Sequence, residues 1–229
     1  MKNRKPIVAI DGPVGAGKST TARAMAESLG FLYVDTGAMY RAATLDVLEH
    51  NVEPSDEAGV CRTVQTSVIE LVVRSGEQRT LLNGRDVSDR IRDRDVTRAV
   101  SSVSALSCVR ARMTELQRRL GRNGGVVMEG RDIGTVVFPD AECKIYLDAS
   151  VEVRAGRRHK ELADKGVVVT YEELIEEIRE RDRANTMREL APLRKAEDAI
   201  LVDTTGMTFE EQVHTIVAIV REKYADGEK

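Results

Sequence analysis

Residues Gly12-Pro13-Val14-Gly15-Ala16-Gly17-Lys18-Ser19 form a full G-x-x-x-x-G-K-[ST] pattern. Phosphate chemistry needs residues of these types at this spacing. The glycines let successive backbone N–H groups turn inward on phosphate oxygens, and a helix that follows aims its positive end at them. Lys18 then reaches the β- and γ-phosphates, and the Ser19 hydroxyl is the ligand for Mg²⁺. Ile7–Ile10 reads as a strand before the loop and Ser19–Leu29 as a helix after it, so Gly12 through Ser19, with Thr20 next in the helix, is the expected ATP site. There is no Asn-Lys-x-Asp guanine signature, and the chain is short for a motor ATPase, which leaves a kinase as the favoured reading. Glu129 and Asp148, each at the end of an apolar run, read equally well as acids that assist the metal through water and as strand-end acids at the surface.

A second set of residues points to another anion. Leu174 and Ile178 draw an apolar line along a helix, and the same i+3/i+4 steps lead on to Arg181, Asn185 and Arg188. The inward face of this helix therefore turns basic and amide-bearing over its last two turns. A helix leaving the core for solvent gives the same pattern. Here it coincides with Arg41 near the start of the second helix and Arg131 just past the third core strand. Guanidinium groups bind phosphate in a planar, bidentate way that lysine cannot copy, so a second anionic site is favoured. Arg154, Arg157 and Arg158, followed by Lys165-Gly166, suit a mobile lid over a transferring phosphate or, equally, a solvated basic face.

The elements that must position these groups follow from periodicity. Short apolar runs at Ile7–Ile10, Phe31–Val34, Val126–Met128, Lys144–Leu147 and Ala199–Val202 alternate with helical patterns. This alternation predicts a doubly wound α/β fold with a parallel sheet. Ala22, Met25, Ala26 and Leu29 mark the first helix, which stops at Gly30; Val109, Met113, Leu116 and Leu120 mark another. Thr170 with Glu173 and Thr208 with Glu211 are capping-box starts. Val68–Val73 and Arg79–Leu82 flank a Ser75-Gly76 turn, and Asn83-Gly84 is a hairpin signal, so an antiparallel insertion is expected there.

Composition removes several function classes. The 229 residues carry a net charge of −3, which gives no general attraction to nucleic acid or acidic membranes. With no Trp and 3% aromatic residues, base stacking is not the expected recognition device. No apolar run approaches the ~20 residues of a membrane span, and the basic start leads into too few apolar residues for a signal peptide. A cytoplasmic monomer is expected. Cys61, Cys108 and Cys143 lie far apart without Cys-x-x-Cys spacing, so neither a disulfide nor a zinc site is expected, and Cys143 reads as a small core residue.

Asp11–Thr20, Asp35–Arg41, Gly130–Pro139 and Ala191-Pro192-Leu193, together with Arg181-Asp182 and Arg188 at their spacing, closely resemble bacterial cytidylate kinase, a P-loop nucleoside monophosphate kinase. The resemblance covers essentially the whole chain. It implies a five-stranded parallel core (1–40, 105–153 and 168–229), an acceptor-binding insertion (about 41–104) and a short lid (about 154–167). The implied reaction passes the γ-phosphoryl group of ATP, with Mg²⁺, to CMP or dCMP. Carried over by position, Thr36, Arg110, Asp132 and Arg188 address the cytosine. Ser101, Arg181 and Asn185 lie near the ribose, Arg41 and Arg131 at the acceptor phosphate, and Lys18, Arg131, Arg157 and Arg158 serve the transfer. Two positions depart from the family's habit: Asn185 stands where Asp is common, and Thr36 where Ser is frequent. The rival readings are a P-loop kinase for UMP, AMP or a non-nucleotide acceptor, and a nucleotide-sensing module without turnover.

Overall fold

The computed structural model describes residues 4–74, 77–164 and 166–226; the expected Ser75-Gly76 turn and Lys165 lie outside the described residues. In chain order the first elements are β1 (Ile7–Asp11), α1 (Lys18–Leu29), β2 (Leu32–Asp35), α2 (Thr36–Glu49), α3 (Glu57–Thr66), β3 (Ile69–Arg74), β4 (Glu77–Leu82) and β5 (Arg85–Asp86). They continue with α4 (Arg94–Ala105), α5 (Ser107–Gly121), β6 (Val126–Gly130), β7 (Cys143–Asp148), α6 (Val151–Asp164), α7 (Tyr171–Met187), β8 (Ile200–Asp203) and α8 (Phe209–Asp226). A 3-10 turn at Arg90–Arg92 and a π-helical turn at Ile133–Val137 complete the set. The chain forms two compact units, Met1–Tyr33 with Asn123–Lys229, and Val34–Arg122.

The first unit is built on a five-stranded sheet in the order β2-β6-β1-β7-β8. β1 runs parallel to both neighbours, with Asp11 level with Gly130 of β6 and Tyr146 of β7. Every residue of β1 and β6 is buried, as expected of unbroken apolar runs in strands covered on both faces. Val8, Ile10, Met25, Ile145, Leu147, Ile216 and Val220 share one core. Burial at this scale dominates the stability, at about 1.5–3 kcal/mol for each large apolar side chain. The strand order reverses beside β1, and in such sheets the crevice at the carboxyl ends of the strands takes the ligand.

Local chemistry sets the helix boundaries. α1 stops at Gly30, whose left-handed backbone (φ 62°) closes its last turn. Thr170 and Glu173 form both bonds of a capping box at the start of α7, and Thr208 and Glu211 make the same reciprocal pair before α8. Ala155, Leu174 and Ile178 pack α6 on α7.

The second unit surrounds the antiparallel sheet β3-β4-β5 with α2, α3, α4 and α5. Asn83 and Gly84 take φ 51° and 79° between β4 and β5, the left-handed pair that a two-residue hairpin of this type requires. The units divide at Val34 and Arg122, whereas the sequence reading places α5 with the core. α5 instead packs on α3 and α4.

One expectation is overturned here. Cys61 on α3 and Cys108 on α5 form a disulfide with Cα atoms 5.7 Å apart. Their separation of 47 residues shows no motif; only the packing of α3 on α5 brings them together. Cys143 is a buried free thiol in the sheet, as the apolar run around it implies.

Candidate active site

The phosphate loop leaves β1 at Asp11 and enters α1 at Lys18. Gly12 must be glycine, because a Cβ there would strike the carbonyl oxygen of Leu147 in the adjacent β7. Gly17 caps α1 with φ 88°, turning the loop into the helix so that the positive end of α1 lies behind it. Lys18 is 5% exposed and donates to the Pro13 carbonyl at 2.5 Å. Burial drives its pKa well below the ordinary lysine value and nearby Arg131 pushes it the same way, while Glu129, Asp11 and Asp182 oppose them. Ser19 and Thr20 are exposed on the first turn of α1.

A group of cations gathers beside this loop. Arg131 follows β6 and donates to the carbonyl of Gly130 at 3.1 Å. Arg181 on α7 also has a lowered pKa, through burial first and the charge of Arg131 second. Arg131 is thus the leading like-charge neighbour of both Lys18 and Arg181. Packing cations together in a desolvated place is unfavourable unless an anion joins them.

Next to them stands a charged pair. Asp132 is 4% exposed, and Arg188 donates to it at 3.3 Å. Nε of Arg188 also donates at 2.7 Å to the carbonyl of Ala191, a residue held in left-handed backbone (φ 50°) just before Pro192. Asn185 is half-buried, one turn beyond Arg181, and its backbone carbonyl accepts from Leu193 at 2.8 Å. The Ala191-Pro192-Leu193 segment therefore braces the end of α7.

Arg154 departs from its grouping with the lid. At 4% exposed, it donates to the carbonyls of Ala149 and Val14 and to Asp182 at 2.6 Å, so it ties the phosphate loop to α7. Arg157 donates to the hydroxyl and carbonyl oxygens of Thr204, and burial lowers its pKa. Arg158 pairs with Glu161 at the surface. Glu129 is buried and accepts from the Tyr33 hydroxyl at 2.5 Å, while Asp148 accepts from the Ala149 N–H.

In the second unit, Thr36 opens α2 and is 3% exposed. Arg41 donates to the Ile91 carbonyl and the Thr97 hydroxyl. Arg110 is 6% exposed, donates to the Ser104 carbonyl and lies 5.5 Å over the Tyr40 ring. Ser101 is exposed on α4.

The structure thus places Lys18, Arg131, Asp132, Arg181, Asn185 and Arg188 in the first unit, and Thr36, Arg41, Ser101 and Arg110 in the second. The sequence reading gave no role to Asp11 and missed the clamp made by Arg154. The available signal for Asp11 was a carboxylate set directly after four apolar strand residues.

A parallel sheet with this strand order, a phosphate loop after its first strand and arginines at the strand ends define a P-loop kinase. Residues 8–222 match the sequence model of the family described as cytidylate kinase. The chain is 53% identical over 216 residues to the cytidylate kinase of Carboxydothermus hydrogenoformans, covering 94% of this chain and 97% of that one. It is 47% identical over 220 residues to the cytidylate kinase of Bacillus subtilis strain 168, covering 96% and 98%. Over 223 residues it is 50% identical to the bifunctional pantoate ligase/cytidylate kinase of Prochlorococcus marinus strain MIT 9303, with 96% of this chain and 46% of that longer one covered. The chain belongs to the cytidylate kinase family.

Proposed function

We propose that this chain transfers the γ-phosphoryl group of ATP to CMP or dCMP, giving ADP with CDP or dCDP. The observation that carries this reading is the cluster of buried Lys18 with half-buried Arg131 and Arg181 beside the Asp132–Arg188 pair. The cations suit two polyphosphate chains meeting, and the pair suits a base that both donates and accepts. Asp132 accepts from the exocyclic amine of cytosine, and Arg188 donates to its ring nitrogen or carbonyl.

The acceptor is already a phosphate anion, so no general base is needed, and catalysis rests on positioning and charge neutralisation. The loop N–H groups and Lys18 hold the phosphates of ATP. Arg131 takes the acceptor phosphate and Arg181 the ribose side of the acceptor, while Arg157 and Arg158 close over the group in transfer. Thr36, Arg41, Ser101 and Arg110 keep the acceptor-binding roles that the family resemblance implies. Ser19 offers an exposed hydroxyl oxygen, a hard donor of the kind Mg²⁺ takes when it arrives with nucleotide phosphates, and it would hold that ion. Held there, Mg²⁺ would supply charge neutralisation to the nucleotide phosphates. No helix among the described residues is long and apolar enough to cross a membrane. We take a monomer in the cytoplasm, where nucleotide pools lie, as the working form.

A coupled assay of ADP formation over CMP, dCMP, UMP and AMP tests the reading. CMP and dCMP should be turned over best; turnover of none, or a preference for AMP, would refute it. Asp132→Ala should lower kcat/KM for CMP by roughly 10- to 150-fold, and for UMP much less, because uracil has a carbonyl where cytosine has an amine.

A further inference from the structure

We propose that Asp11 is a positioning residue for base selection, its carboxylate holding the turn that presents Asp132; this rests on the activity proposed above. Asp11 ends β1 and is 5% exposed. One of its oxygens accepts from the N–H of Ile133 and the other from the N–H of Gly134, each at 2.8 Å. Both peptides come directly after Asp132, whose carbonyl in turn accepts from Val136 and Val137 in the π-helical turn. The first N–H groups of a helical turn have no partner within it, and here a single buried carboxylate satisfies two of them.

The residue type follows from this task. Two N–H donors facing one short side chain need two acceptor atoms. Among side chains of this length only the carboxylate has them, since asparagine offers one acceptor and a donor. Holding both peptides fixes the rotation of the chain on the C-terminal side of Asp132. Arg188, oriented by the Ala191 carbonyl, holds Asp132 from the other side. Asp11 is also the residue before Gly12, so β1 carries the phosphate loop and the brace for the base-reading turn at one point.

Burial opposes the charge: it pushes the Asp11 carboxyl up to about 6, against the two N–H bonds and Lys18, with Asp132 adding to the rise.

The test is steady-state kinetics of Asp11→Asn with CMP and UMP at saturating ATP and neutral pH, beside the KM for ATP and the thermal midpoint. The expected result is a fall in kcat/KM for CMP of about 10- to 100-fold, from a misplaced charged hydrogen bond. UMP should change by less than about threefold, and the KM for ATP by less than about twofold. Amide exchange should quicken in residues 130–137 and stay unchanged in residues 12–20. Equal losses on CMP and UMP, or a loss confined to the KM for ATP, would overturn the proposal. Asp11→Ser, with one small acceptor, serves as the second variant; failure of both to fold would assign Asp11 to the core and overturn it too. Wild-type protein without a CMP preference would instead defeat the proposed activity. Wild-type preference retained undiminished in Asp11→Asn defeats only the assignment of Asp11.

Discussion

The two compact units hold their charged residues by different means. In the first, Lys18, Asp11, Arg154 and Asp132 sit at strand ends or against them, each at most 5% exposed, and they are held by backbone groups and, for Arg154 and Asp132, by the charged partners Asp182 and Arg188. In the second, Arg41 and Arg110 stand on helices and donate to backbone carbonyls or a threonine hydroxyl, with the Cys61–Cys108 bond joining α3 to the first turn of α5. The first arrangement costs solvation and gives charges with little freedom. The second leaves stability to helix packing and a covalent tie. The comparison implies that substitutions in the first unit should change chemistry more than stability, and that the tie in the second should do the reverse.

The largest effect should come from Lys18→Ala. Turnover should fall by about 10²-fold or more, because Lys18 meets charge that builds up in transfer. The thermal midpoint should hold or rise, since a lysine desolvated far enough to lower its pKa is a burden on the fold. Near-normal turnover would refute the loop's assignment, and a collapse in stability would contradict the contrast between the units.

Next in size is Cys61→Ser. Closing a loop of 47 residues stabilises by up to about 4 kcal/mol in the chain-entropy account. Urea unfolding without reductant should show a loss approaching that figure, with kcat little changed. Wild-type protein under strong reductant should move to the same midpoint. An unchanged midpoint would show that the tie carries no stability.

Asp11 supplies a prediction with a definite sign. Its carboxyl is raised from 3.8 to about 6, so the folded chain binds this proton more tightly than the unfolded chain does. Stability from this group is therefore fully present below the unfolded value and is lost as pH rises through the folded one. The shift of about two pK units corresponds to about 3 kcal/mol. The stability of wild type relative to Asp11→Asn should drop by about that amount between pH ~4 and pH ~7. A flat difference would mean that Asp11 is solvated, and the first unit would lose its clearest example of buried charge.

The smallest effect concerns Asn185, half-buried at the end of α7. Asn185→Asp should lower the KM for CMP roughly fivefold, about 1 kcal/mol, if a charged acceptor replaces a neutral one at the ribose hydroxyls. The gain should shrink on dCMP if the hydroxyl it meets is the one dCMP lacks. An unchanged KM on both substrates would place Asn185 outside acceptor binding.

Much of this molecule was legible before any coordinates, and for a physical reason. The phosphate loop, the Gly30 stop, the Asn83-Gly84 hairpin and the capping boxes at Thr170 and Thr208 are decided by backbone conformation and hydrogen bonds within a few residues. The inner strands β6, β1 and β7 showed themselves because burial on both faces leaves nearly unbroken apolar runs, and the edge strands β2 and β8 as shorter apolar runs that are partly exposed. The basic stripe through Arg181 and Asn185 was visible as a break in helical period. The sequence by itself therefore determined the local elements and the fold class, and it named most of the residues proposed for the site. Only the tertiary structure decided that Cys61 meets Cys108, that Arg154 leaves the lid group to clamp Val14 to Asp182, and that Asp11 reaches two peptides more than 120 residues away. Each of these depends on which distant segments pack together, and neither side chain type nor local spacing carries that information.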